Sequence, residues 1–95
     1  MSDLTLAQKV SLAENVLIQD LAGESVLLDL ESEEYFGLDE IGTRMLTVAN
    51  ESESLQVAYE ILLAEYEVDE IRLKQDLLEF VAQLVEYGLV RVSGS

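Results

Sequence analysis

The chain has 95 residues, nearly half of them (49%) hydrophobic, enough for one compact domain with its own core. It contains no Cys, His or Trp, which excludes disulfides, thiolate metal sites, thiol nucleophiles and the commonest general base. Twenty acidic residues against five basic ones give a net charge of −15, a balance that opposes binding to nucleic acid and to anionic membrane surfaces.

No Pro, repeat or low-complexity tract offers a place to divide the chain, so a single domain over residues 1–95 is expected, with its core from about 14 to 92. The start of the chain, Met1 to Lys9, lacks the character of a signal peptide, and no apolar run reaches the roughly 20 residues of a membrane-spanning helix. A cytoplasmic protein is expected. Met1, Ser2 and Asp3 read as loose, as does the Ser93-Gly94-Ser95 tail.

Val16 to Leu21 is the first strand candidate, stopped by Ala22-Gly23-Glu24. Ser25 to Glu31 follows with period-two alternation, Val26, Leu28 and Leu30 on one face and Leu27 and Asp29 on the other. The short link predicts an antiparallel hairpin. After the polar turn Glu31-Ser32-Glu33, the run Glu34 to Leu38 reads as a third strand.

From Asp39 the period changes to that of helices. Asp39 is placed to cap a helix through Ala49 that carries Ile41, Met45, Leu46 and Ala49, with Asn50 as its stop. Ser54 caps a second, with Leu55, Ala58, Tyr59, Leu62, Leu63 and Tyr66 at helical spacing. Asp69 caps a third that runs to about Tyr87, with Gly88 as its breaker, and Leu89 to Val92 reads as a short closing strand. The order predicts an α+β, winged-helix-like fold: a three-stranded antiparallel sheet followed by three helices.

No pattern points to catalysis. The five glycines are scattered singly, so no phosphate loop is present, and no calcium-loop spacing occurs. Carboxylate pairs such as Glu33-Glu34 and Asp39-Glu40 read as solvated turn and cap residues. A two-carboxylate site needs a buried member, and only Asp76, at the margin of the third helix, comes near that. The expectation is no enzyme activity, no cofactor and no metal.

Two features point to binding. The third helix has an apolar arc approaching ~180°, against the roughly 100° stripe of an ordinary surface helix. Either both flanks are buried, or Leu73, Leu77 and Phe80 line a groove with Arg72 and Asp76 at its rim. The second feature is the sheet edge. The strand Glu34, Tyr35, Phe36, Gly37, Leu38 is the last before the helices, and an unpaired edge there offers N–H and C=O groups to an extended peptide. Tyr35 and Phe36 alternate faces, one toward the core and the other toward a partner.

The run Val26-Leu27-Leu28-Asp29, then Tyr35 through Gly42, then Tyr66-Glu67-Val68-Asp69, Asp76 through Phe80, Leu84 and Gly88-Leu89-Val90, resembles the PqqD-like family of leader-peptide-binding domains. Asp39 stands where such proteins commonly have Asn, and Met45-Leu46 where an aromatic is common. The resemblance implies a non-catalytic recognition element for ribosomally made, post-translationally modified peptides. It places the precursor's leader as an added strand on Glu34 to Leu38, lying against the third helix from Leu73 toward Leu84. The implied partners are the precursor and a processing enzyme: a leader protease with a cyclase in the lasso-peptide type, the favoured one, or a radical SAM enzyme in the quinone-cofactor (PQQ) type. The alternatives are a winged-helix DNA-binding regulator, opposed by charge, and an acidic adaptor or homodimer closed over the third helix.

Overall fold

The fold, obtained as a computed structural model, describes residues 4–94. In chain order it runs β1 (Lys9–Leu12), β2 (Val16–Leu21), β3 (Glu24–Asp29), β4 (Glu34–Leu38), α1 (Glu40–Glu51), α2 (Leu55–Glu65), α3 (Glu70–Glu86) and β5 (Val90–Ser93). The α+β reading holds, with β2-β3-β4 as an antiparallel sheet in that order and three helices after it.

The β2–β3 hairpin turns on Ala22 and Gly23, both at positive φ (56° and 92°), the handedness that matches the twist of paired strands. Register then aligns Leu17, Leu28 and Tyr35 across the sheet on one face, and Ile18, Leu27 and Phe36 on the other. The second face is the one that meets the helices, and Leu27 is fully buried there. The same face buries polar groups with partners. Ser25 and Thr43 hydroxyls hydrogen-bond at 2.7 Å, joining β3 to α1. Asp29 accepts hydrogen bonds from the Asn15 side chain and from the Glu31 and Ser32 N–H groups, with its pKa lowered, the Asn15 bond being the largest cause.

All three helix caps fall where expected. Asp39, Ser54 and Asp69 side chains accept from the backbone N–H groups of Gly42, Val57 and Arg72. The first helix runs past its expected stop, through Asn50 to Glu51. The third ends in a Schellman motif: Leu89 N–H donates to Leu84 O, Gly88 N–H to Val85 O, and Gly88 sits at φ +73°.

The expected closing strand is present as β5, and it pairs, from Lys9↔Ser93 to Leu12↔Val90, with a strand not foreseen in the sequence, β1, to form a second sheet. Ser93, expected in a fading tail, is therefore a strand residue; Met1 to Asp3 and Ser95 lie outside the described residues. This ribbon is built into the core through Val10 and Val90, with Leu89 just before it, all buried. Its flank supplies α2 with acceptors: Leu55 and Gln56 N–H groups, unpaired within their own helix, donate to Gln8 O and Leu6 O.

Candidate functional site

β4 leads directly through Asp39 into α1, so the end of the strand and the first turn of the helix share one wall. The opposite wall is α3. Along it a stripe at helical spacing, Arg72, Asp76, Phe80, Gln83 and Tyr87, adjoins the buried stripe Leu73, Leu77, Val81 and Leu84, about a quarter-turn around the helix. Gly42 permits close approach of the walls, since a Cβ there would lie 3.4 Å from Phe80 Cε1. At the far end Tyr87 rests against Phe36, with ring centroids 5.2 Å apart.

The result is a groove beside the outer edge of β4, which pairs with no other described strand. Two adjoining depressions share Ile41, Met45 and Asp76. One lies at the strand end, between Gly37 and Leu38 on one side and Phe80 on the other. The second, about 140 Å³ and predominantly apolar, continues toward Tyr66, Val68 and Leu73. Asp76 and Arg72 stand at its rim, 3.9 Å apart and solvent-exposed, so their attraction is largely screened. Open backbone groups on one side and apolar hollows on the other suit an extended peptide that adds as a strand and buries some of its side chains. The other open edge, along β2, carries exposed Leu17, Ile18 and Leu21.

Of the residues anticipated from sequence, Gly37, Leu38, Arg72, Asp76 and Phe80 meet around this groove, and Leu73 borders it from a buried position. Phe36 turns to the helix-facing side and Tyr35 to the opposite one, 72% exposed, so of that pair it is Phe36 that lies beside α3. Glu34 is exposed at the start of the strand. Leu77 and Leu84 are core residues, 0% and 4% exposed, which hold α3 in place and offer no groove surface. Both readings of the wide apolar arc are thus partly realised: one flank is core, and the other is the groove wall.

Ile41, Met45, Tyr66 and Val68 were not anticipated as groove residues. Ile41 and Met45 were legible in principle, because a helix that begins one residue after an edge strand must set its first turn beside that edge. Among the described residues, no group of carboxylates is arranged to hold a metal ion, and no helix is long and apolar enough to cross a membrane.

The family model for Coenzyme PQQ synthesis protein D (PqqD) matches residues 24–90. Among solved structures, one described as TbiB1 in complex with the TbiA(beta) leader peptide is 30% identical, with a TM-score of 0.80, covering 85% of this chain and 94% of that one. A lasso peptide synthetase B1 complexed with the leader peptide, 24% identical, has the same fold, with a TM-score of 0.80 over 87% of this chain and 98% of that one. Among curated proteins, none matches the chain.

Proposed function

The chain belongs to the PqqD family, and from that premise we propose that it is a non-catalytic carrier in the cytoplasm that binds the leader of a ribosomal precursor peptide. The leader pairs as an added strand along β4 and lies against the Arg72–Asp76–Phe80 side of α3. The observation that carries this reading is the open edge of Glu34–Leu38 beside apolar hollows lined by Ile41, Met45 and Phe80. The 30%-identical relative of known structure, itself in complex with a leader peptide, supports it. The carrier then presents the precursor to a processing enzyme, in the lasso-peptide setting a leader protease and a cyclase.

A second assignment has its own support: the matching family model describes a coenzyme PQQ synthesis protein, whose setting implies a radical SAM enzyme as the partner. Fold does not separate the two, because function resides in the site and its partners.

Fluorescence anisotropy with the labelled leader of the precursor encoded beside this gene tests the carrier reading. Saturable binding that Phe80→Ala weakens about tenfold, or about 1.4 kcal/mol, is expected. Absence of binding by the wild-type protein at high excess would remove the function while leaving the fold intact.

A further inference from the structure

The apolar hollow beside the first turns of α3 is bounded by all three helices and by one stretch of irregular backbone, residues 66–69, which joins α2 to α3. Tyr66 and Val68 of that stretch line the hollow with Ile41, Met45 and Leu73. On its other side Tyr66 borders a separate, open cleft with Arg44, Thr47, Glu40 and Gly23. Tyr66 thus belongs to both depressions, and its side chain is the partition between them.

The partition is held at both ends. Glu65, the last residue of α2, accepts from Arg44 Nε at 2.8 Å and from Arg44 Nη2, a two-pronged pair that ties the end of α2 to α1. A carboxylate at a helix C-terminus opposes the helix dipole, and α2 has no basic residue in its own last turn. Arg44 supplies the compensating cation from the neighbouring helix. The pKa values move accordingly, Glu65 down and Arg44 up, with their mutual hydrogen bond as the largest cause in both. On the α3 side, the Tyr59 hydroxyl donates to the Glu70 carbonyl at 3.0 Å.

We propose that Tyr66, held in place by the Arg44–Glu65 pair, sets the size of the side chain that the hollow admits: one apolar group no larger than a phenyl ring. The proposal rests on the carrier reading only in assigning that group to the leader. Volume sets the limit. The hollow measures about 140 Å³. A dry apolar cavity of about 150 Å³ takes up benzene, so this one has room for a single ring or a branched aliphatic chain and not for a fused pair of rings. Displacing the Tyr66 side chain would join the hollow to the Arg44 cleft and lift that limit. Arg44 and Glu65 do not line the hollow themselves, so they are positioning residues that act through Tyr66. Their pair is solvent-exposed and contributes little to overall folding, so breaking it frees the partition while the fold stays intact.

The test does not depend on the leader. p-Cresol and 2-naphthol, a one-ring and a two-ring probe, are titrated against the methyl-labelled full chain, and the NMR shifts of Met45 and Val68 report filling of the hollow. Wild type is expected to bind p-cresol about fivefold more tightly than 2-naphthol, against the order of their hydrophobicities. Arg44→Met and Glu65→Gln should each bring the two probes close to parity, Tyr66→Ala should reverse the preference, and the exchanged pair Arg44→Glu/Glu65→Arg should restore it. Carried over to the labelled leader, 2-naphthylalanine at the position that fills the hollow should cost wild type at least tenfold in affinity and Arg44→Met much less. Equal affinity of wild type for the two probes, no shift with either, or a preference unchanged in folded Arg44→Met and Glu65→Gln would overturn the proposal. The expected preference in a wild-type chain that binds no leader would overturn the carrier reading and leave the size limit standing.

Discussion

The molecule contains two sheets whose edges are treated in opposite ways. The β1–β5 ribbon is closed against the helices. Asn50 Oδ1 accepts from Leu12 N–H, Lys9 reaches the carbonyls of Asn50 and Ser52, and the first N–H groups of α2 are satisfied from Gln8 and Leu6. The β2-β3-β4 sheet is left open: β4 has no further strand beyond it among the described residues, and one whole face is uncovered. An unpaired edge is a hazard that proteins usually cover, twist away or charge. A fold that covers one edge with side-chain and main-chain partners and leaves the other beside an apolar groove has a rigid half and a receptive half.

Truncation in the closed half should have the largest effect. Leu77→Ala removes a fully buried side chain from the centre of α3 and should cost about 2–5 kcal/mol in urea denaturation. Phe80→Ala, one turn away but on the groove wall, should cost less than half of that in stability while lowering leader affinity about tenfold. If both variants lose stability equally, the division between core flank and groove flank of α3 is wrong. Asn50→Ala deprives the exposed Leu12 N–H of its acceptor and should cost about 1 kcal/mol with no change in leader affinity.

The smallest effect concerns acid stability. The folded-state pKa of Asp29 lies below its ordinary value, chiefly through the Asn15 hydrogen bond. Its contribution is therefore fully present above the ordinary aspartate pKa and is lost as pH falls through the lower folded value. Asp29→Asn should flatten this part of the acid limb of a melting-temperature profile and leave the neutral region with only the loss of the local turn.

Much of this was legible in the chain. The hairpin, the caps Asp39, Ser54 and Asp69, and the Gly88 stop all rest on local chemistry, and each appears where that chemistry requires. The closing strand was legible at Leu89 to Val92, but β1 and its pairing with β5 were not, because Lys9 and Ser93 are partners only through the whole intervening fold. The polarity of β3 was concealed as well. Its apolar-looking face, Val26 and Leu28, points outward, whereas Ser25 and Asp29 are buried with partners from Thr43 and Asn15 that lie far off in sequence or outside the strand. On α3 the amphipathic arc was visible, but its division into core (Leu73, Leu77, Leu84) and groove wall (Arg72, Asp76, Phe80) depends on where β4 lies.

The central claim is that β4 is the receptive edge, and amide hydrogen exchange in the presence and absence of saturating leader tests it directly. The account predicts that exchange slows within Glu34–Leu38, while β1, β5 and the other open edge, Val16–Leu21, keep their rates. Protection appearing on Val16–Leu21, or none anywhere despite bound leader, would contradict it.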